Sequence, residues 1–215
     1  SFSQEGSMIV FAGTRLGKTD IYIHDIASAT NRPVTDDQAD DNFPRFIEND
    51  SKIIFSSNRL SDSIRIETGR TGRALTSDLF IYDYKGNSDV LMRLNDNQYT
   101  HKTDPNEVGK NQFIQLSNDQ GGINRYIARF DSTISYVDTT VHYRYFAQTA
   151  ALTQYVRNIL EQDYNASNEN IAEIIFNDGR YNIYYNTLDK QAVIAEKIQP
   201  TISQNMRRNK LSARD

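Results

Sequence analysis

The side chains that could carry chemistry in this sequence are concentrated in two stretches, an acidic run and an arginine-bearing insertion. The acidic run, TDDQADDN, contains Asp36, Asp37, Asp40 and Asp41. Closely spaced carboxylates could bind calcium, but this run lacks the alternating ligands, the central glycine and the distal glutamate of an EF-hand loop. The pattern therefore favours a solvated loop, and neither a metal nor any other cofactor is predicted.

The second stretch, LSDSIRIETGRTGRALTS, spans residues 60–77 and carries Arg65, Arg70 and Arg73. Glycines placed between arginines could cradle a phosphate or a carboxylate, although the spacing fits neither a P-loop nor a dinucleotide fingerprint. A long loop in a compact domain is usually functional or disordered. Three interpretations stay open, namely a solvated flexible loop, a protein-docking loop and a small-anion site.

The rest of the sequence shows no catalytic constellation. The chain has no cysteine, which excludes a disulfide framework, a thiolate zinc site and a cysteine nucleophile. A Gly-x-Ser-x-Gly elbow is missing, and His24, His101 and His142 have no metal-ligand spacing. The net charge of −4 gives no basic footprint for nucleic acid, and no apolar run approaches the roughly 18 residues of a membrane span. We therefore expect a chain that is not an enzyme, does not bind nucleic acid and does not span a membrane.

The sequence segments that would form the strands around these side chains occur twice along the chain. The segment SFSQEGSMIVFAGTR (1–15) aligns without a gap on RFIENDSKIIFSSNR (45–59), at an offset of 44 positions. The segment DIYIHD (20–25) then matches DLFIYD (78–83) at an offset of 58, so the second copy carries about 14 additional residues. A repeat of about 40–45 residues built from short strands indicates a propeller blade.

Each copy predicts four antiparallel strands, a to d. Runs such as Ile53-Ile54-Phe55 are continuous rather than alternating, which is typical of strands covered on both faces. A divergent third copy and a partial fourth copy follow, and Asp178-Gly179 in the fourth predicts a tight hairpin. The predicted fold is an all-β propeller of about four four-stranded blades in an incomplete ring. Its divisions are blade 1 (1–43), blade 2 (44–103, with the inserted loop 60–77), blade 3 (104–156), blade 4 (157–189) and a linker or irregular tail (190–215).

The repeat resembles that of a known family. The order IVFAGTR or IIFSSNR, then DIY…D or DLF…D, then a Leu/Val-Thr-like end and Asp-x-x-Pro, resembles the repeat of TolB-type (PD40, WD40-like) β-propellers. The likeness is good over residues 1–95 and fair over 104–188, and the family's Pro-Asp-Gly turn is replaced here by Gln4-Glu5-Gly6 and Glu48-Asn49-Asp50. Because fewer blades are visible than is usual in this family, we expect a piece of a larger chain or a partial ring completed by other residues.

Several charged residues recur between the copies and are predicted to serve the blade itself. Asp20 and Asp78 precede the c strands, where short carboxylates can bond backbone N–H groups and hold a turn. Arg15 and Arg59 end the b strands and could pair with them. A metal site or a substrate-binding carboxylate is the functional alternative. The full set of predicted structural repeat residues is Arg15, Asp20, Asp25, Arg59, Asp78 and Asp83.

Alternating strand directions place the b–c and d–a connections on one face of the propeller. That face would carry the acidic run and the arginines of the insertion, and we predict that it binds a partner. The resemblance implies a non-catalytic, protein-binding scaffold in the bacterial cell envelope, periplasmic or associated with the outer membrane. Its partner would be another envelope protein or other domains of the same full-length chain.

Two other functions stay open. The chain could be a substrate-gating propeller of a peptidase or hydrolase whose catalytic domain lies outside it. It could also bind a sugar or a peptide in the propeller tunnel through Tyr22, Tyr82, Tyr84 and Tyr126, although packing in the blade core explains these tyrosines more simply.

Overall fold

Short strands make up the regular structure, as the β-branched and aromatic runs of the sequence predict. The computed structural model describes residues 1–64, 73–86, 88–94, 99–137 and 141–191, and every regular element in these ranges is a β-strand. The strands form four antiparallel sheets, each of which pairs strands that are consecutive in the chain.

The sheets follow one another along the sequence. Sheet 1 contains β1 (Met8–Arg15), β2 (Lys18–Asp25) and β3 (Thr30–Pro33). Sheet 2 contains β4 (Asp41–Ile47), β5 (Lys52–Arg59), β6 (Arg73–Tyr82) and β7 (Met92–Arg93). Sheet 3 contains β8 (Lys102–Gly109), β9 (Gln112–Ser117), β10 (Asn124–Val137) and β11 (Val141–Ala151). Sheet 4 contains β12 (Ile159–Asn165), β13 (Asn170–Asn177) and β14 (Arg180–Thr187).

Apolar clusters join each sheet to the next one. Ile53 and Phe55 pack with residues of sheet 1 such as Val10, whereas Ile54 points the other way and packs with Phe113 of sheet 3. Ile53, Ile54 and Phe55 are all completely buried. The prediction that this continuous run is covered on both faces is therefore confirmed.

The predicted hairpin in sheet 4 is also present. Asp178 and Gly179 connect β13 to β14 with φ angles of 51° and 77°, the left-handed conformation that both central residues of a type I′ turn need. Gly179 adopts this conformation without the steric cost that a side chain would add.

Two sequence boundaries are corrected by the pairing. The segment predicted as an inserted loop over 60–77 ends at residue 72, because β6 already begins at Arg73, which pairs with Arg59. Residues 41–43, assigned to the first blade, belong to sheet 2, where Asp41 pairs with Ser57.

The four sheets do not close into a ring within the described ranges. Each buried cluster joins consecutive sheets, and none of these clusters joins sheet 1 to sheet 4. The architecture is thus a row of stacked blades, an incomplete propeller. Most of the predicted tail, residues 192–215, lies outside the described residues.

Candidate functional site

The connections between strands that share one end of the sheets are here called the loop rim. The described parts of the rim are residues 16–17, 34–40, 60–61, 99–101, 118–123, 152–158 and 178–179, whereas Ser63 and Ile64 pair with Val90 and Asp89 along the outer edge of sheet 2. Neighbouring connections are tied together by asparagine side chains. Asn58 accepts a hydrogen bond from Asp40 N at 2.8 Å, and Asn118 accepts one from His101 N at 2.9 Å. This contact pattern is the one that alternating strand directions predict.

A buried ion cluster, here called the Arg59 cluster, lies directly beneath the rim. The Arg59 guanidinium contacts Asp37 Oδ2 at 3.1 Å and Asp41 Oδ2 at 2.7 Å, and its Nε donates to Ser57 Oγ at 2.9 Å. The three charged side chains are at most 3% exposed. The guanidinium also lies 5.4 Å from the ring centroid of Phe55. The cluster fixes the connection from β3 to β4 against the end of β5.

This geometry corrects two expectations. Arg59 does not pair with Asp78 but with Asp37 and Asp41, whose carboxylates the connection after sheet 1 places beside its guanidinium. The prediction of a solvated acidic loop is wrong for these two carboxylates, which are buried and therefore cannot touch a partner directly. Burial raises the pKa of Asp41, and the neighbouring Arg59 charge opposes that shift.

The other two carboxylates of the acidic run face solvent. Asp36 is 79% exposed and pairs with Lys18 at 2.6 Å, and this hydrogen bond lowers the pKa of Asp36. Asp40 is 31% exposed and pairs with Arg73 at 2.7 Å. Arg73, which was predicted to lie in the insertion, thus contacts the acidic run from the first position of β6. Arg65 and Arg70 lie outside the described residues.

A polar residue recurs at the same place in the predicted c strands of sheets 1 to 3 (β2, β6 and β10), as Asp20, Asp78 and Asn124, and it anchors the rim from below. Asp20 lies 3.4 Å from Asp37 N, which donates to it, and Asn124 accepts a hydrogen bond from Tyr155 N at 2.7 Å. Asp78 instead binds the buried ammonium of Lys102. Each of these three contacts ties one sheet to the chain segment that leads into the next sheet.

The junctions of sheet 2 with sheet 1 and with sheet 3 each contain a buried ion pair, but the signs of the paired residues are reversed between them. Asp41 and Lys102 are the first residues of β4 and β8, each lies three residues before a proline, and both are buried. The acid at the first junction binds Arg59, whereas the lysine at the second binds Asp78. Sequence reasoning missed Lys102, although its place in the Asp-x-x-Pro pattern was a usable signal.

The remaining repeat residues have local roles, and the charge of Arg15 helps to lower the pKa of Asp36 after the larger effect of Lys18. Asp25 accepts a hydrogen bond from Ser28 N at 2.8 Å, and Asp83 accepts one from Gly86 N at 2.7 Å, so both carboxylates stabilise turns at the opposite end of the sheets. Arg15 is exposed at the end of β1.

Comparisons with solved structures show what this arrangement is similar to. TolB from Acinetobacter baumannii matches with a TM-score of 0.56 and 14% identity, over 87% of this chain and 40% of that one. A putative TolB from Agrobacterium tumefaciens matches with a TM-score of 0.60 and 12% identity, over 86% of this chain and 58% of that one. The chain has a TolB-like β-propeller fold. No protein-family model matches it, and no curated protein does.

The first strands of sheets 2 to 4 of this TolB-like propeller are linked by a charged cluster that the sequence did not indicate. Arg45 of β4 contacts Asp163 of β12 at 2.8 Å and Asp104 of β8 at 3.3 Å. Asp104 also accepts a hydrogen bond from Gln162 N at 2.7 Å. Burial raises the pKa of Asp104. This cluster holds three sheets together at one set of strands.

The tyrosines considered for tunnel binding belong to the sheets. Tyr84 is buried and donates to Asp50 O at 2.7 Å, while Tyr126 is 4% exposed. Tyr22 stacks on Phe11 with ring centroids 5.7 Å apart, and Tyr82 packs against the cluster between sheets 1 and 2. The simpler explanation by packing accounts for all four.

Other kinds of site find no support in the described ranges. No group of three or more His, Cys, Asp or Glu side chains there is arranged to hold a metal ion. The same ranges contain no helix that is long and apolar enough to cross a membrane.

Proposed function

We propose that this chain is a non-catalytic, protein-binding propeller scaffold that docks its partner on the loop rim. The observation that carries the proposal is the contrast between the buried Arg59 cluster and the exposed charges above it. Asp37 and Asp41 hold the connection rigid, while Asp36 and the Asp40–Arg73 pair stand at the surface. Loops on a rigid scaffold are where binding residues concentrate.

The TolB-like fold supports a scaffold role and a place in the bacterial cell envelope, periplasmic or associated with the outer membrane. The chain spans 40% and 58% of the lengths of the two TolB structures above, so the full activity of such proteins is part of the proposal. In this proposal, residues 65–72, which include Arg65 and Arg70, take part in binding the partner.

Affinity capture from an envelope extract tests the docking surface. One rim variant replaces residues 65–72 with a short Gly-Ser linker and keeps β6 from Arg73 onward, and a second carries Asp36→Lys. The matched control is Lys110→Glu, a charge reversal at the exposed turn between β8 and β9, at the opposite end of the sheets. We expect the wild type and the control to retain the same partner, and both rim variants to lose it.

Thermal unfolding of the same proteins separates docking from folding. A surface ion pair such as Asp36–Lys18 contributes about 0–1 kcal/mol, so the rim variants are expected to melt close to the wild type. Capture that survives both rim changes would disprove docking on the rim, as would equal loss with the control.

A further inference from the structure

The tip of the hairpin between β1 and β2 combines two unfavourable features at one residue. Leu16 and Gly17 form its two-residue turn, since Arg15 pairs directly with Lys18. The φ angle of Leu16 is 52°, in the left-handed region where the Cβ of an L-residue crowds the following carbonyl oxygen. The Leu16 side chain is also 93% exposed, so it removes almost no apolar surface from water. Neither feature stabilises the fold.

The corresponding turn of sheet 4 shows which residues this backbone geometry favours. Asp178 and Gly179 have φ angles of 51° and 77°, close to the 52° and 79° of Leu16 and Gly17. Asn, Asp and Gly dominate the first position of such a type I′ turn because they tolerate a positive φ. Turn geometry therefore does not explain the leucine at position 16. Residues that break a local preference in this way concentrate at functional sites.

Contacts with the acidic run hold the base of this hairpin tip in place. Lys18 Nζ donates to Asp36 Oδ1 at 2.6 Å, and Thr19 N donates to Asp40 Oδ1 at 3.2 Å. Leu16 thus projects from a braced turn on the loop rim. A group that is already ordered in the free protein loses less conformational entropy when it binds.

Further blades of a larger propeller would leave this tip exposed. Sheet 3 has a sheet packed on each of its faces, yet Asp119 and Gly121 in its corresponding turn are exposed. Blades stack face to face, whereas the turn at Leu16 lies at the end of its sheet. A blade packed on the free face of sheet 1 would therefore not bury Leu16.

We propose that Leu16 is the apolar anchor of the loop rim and inserts into an apolar pocket on the surface of the protein partner. This inference rests on the proposed docking function and names the residue on which docking depends most. The exposed Arg15 beside it predicts an acidic side chain at the border of that pocket. A few anchors that fill pockets carry most of the binding energy of an interface.

A pocket on a protein fits this surface better than a lipid surface does. Asp36 is exposed and Asp40 is partly exposed on the same rim, where both carboxylates would meet the negative headgroups of an anionic membrane. A single leucine also offers far less apolar area than the apolar face of an interfacial helix.

The substitution Leu16→Asn separates binding from folding, because asparagine is favoured at this turn position. In urea unfolding of the full 215-residue chain, the variant is expected to have a higher midpoint than the wild type. In capture from the envelope extract, its affinity for the partner is expected to fall at least about 30-fold, the loss that follows removal of such an anchor. The control is Ile26→Asn, at an exposed apolar residue in the turn between β2 and β3, at the opposite end of sheet 1. It is expected to retain the partner.

Site-specific cross-linking identifies what the hairpin tip touches. With a photoactivatable diazirine analogue of leucine at position 16, illumination in the extract is expected to link the chain to the protein that the wild type captures. Mass spectrometry is expected to place the link on apolar residues that have an Asp or Glu beside them. The same analogue at position 26 is expected to give no such product.

The outcomes separate this inference from the proposed function. Loss of the partner in Asp36→Lys but not in Leu16→Asn would overturn the anchor and leave docking on the rim in place, whereas capture that survives both changes would overturn both. A lower unfolding midpoint in Leu16→Asn would assign Leu16 to the fold, and a cross-link from position 16 to the same chain would show an intramolecular cover. Binding of the wild type to vesicles of anionic phospholipid, abolished by Leu16→Asn, would assign the residue to a membrane contact instead.

Discussion

Replacing Arg59 by methionine tests whether the Arg59 cluster braces the loop rim. The substitution removes the cation that contacts the buried carboxylates of Asp37 and Asp41, and keeps an unbranched apolar side chain of similar length. Removing one partner of a buried ion pair typically costs about 3–5 kcal/mol, because the other charge remains desolvated. For a chain of this size that corresponds to a fall in melting temperature of roughly 6–20 °C.

Urea unfolding followed by far-UV circular dichroism measures this loss, since the chain has no tryptophan for fluorescence. The control is Arg73→Met, which removes a cation from Asp40 at the same rim but in a pair that is 39% and 31% exposed. Exposed pairs contribute about 0–1 kcal/mol, so this variant is expected to remain near the wild type.

A rescue variant separates charge from packing. Adding Asp37→Asn and Asp41→Asn to Arg59→Met removes the uncompensated charges, and the new amide at position 37 can still accept the hydrogen bond that Asp37 accepts from Ala39 N at 2.7 Å. We expect the triple variant to regain most of the lost stability. The reasoning is refuted if Arg59→Met is no more damaging than Arg73→Met, or if the triple variant is no more stable than Arg59→Met.

Three further predictions concern the turns, the pH dependence and the link between sheets. A Cβ at Gly86 would lie 2.6 Å from the Asp83 carboxylate, so Gly86→Ala is expected to cost about 1 kcal/mol in urea unfolding by breaking their hydrogen bond, and nothing further in an Asp83→Ala background. The pKa of three carboxyls is raised by burial, namely Asp41, Asp104 and Glu107. The folded state then holds protons that the unfolded state releases, so the free energy of unfolding is expected to fall as the pH rises above 3.8 through the folded-state pKa of Asp41, and less steeply in Asp41→Asn. Arg45→Met is expected to speed hydrogen exchange in β12 and not in β1; equal exchange in both strands would show that Arg45 does not link sheets 2 and 4.

The strands and their order could be predicted from the sequence because they depend on local chemistry. Ile53-Ile54-Phe55 is a β-forming run flanked by turn residues, and Asp178-Gly179 meets the φ requirement of its hairpin whatever surrounds it. The gapless repeat showed that these strands recur as a unit, which indicates a propeller blade. Because consecutive strands in a blade are antiparallel, the connections of the rim could then be placed at one end of the sheets. The extent of the insertion could not be predicted, because the pairing of Arg73 with Arg59 is not a property of either segment alone.

The pairing of the buried charges was decided only by the tertiary structure. Arg59 was expected to pair with Asp78 but pairs with Asp37 and Asp41. Asp78 pairs instead with Lys102, which lies 24 positions further along the chain. A charge in an extended chain is solvated and prefers no particular partner. Once the sheets stack and exclude water, a buried charge must find an opposite charge within a few ångströms, and that neighbour is set by how two sheets pack.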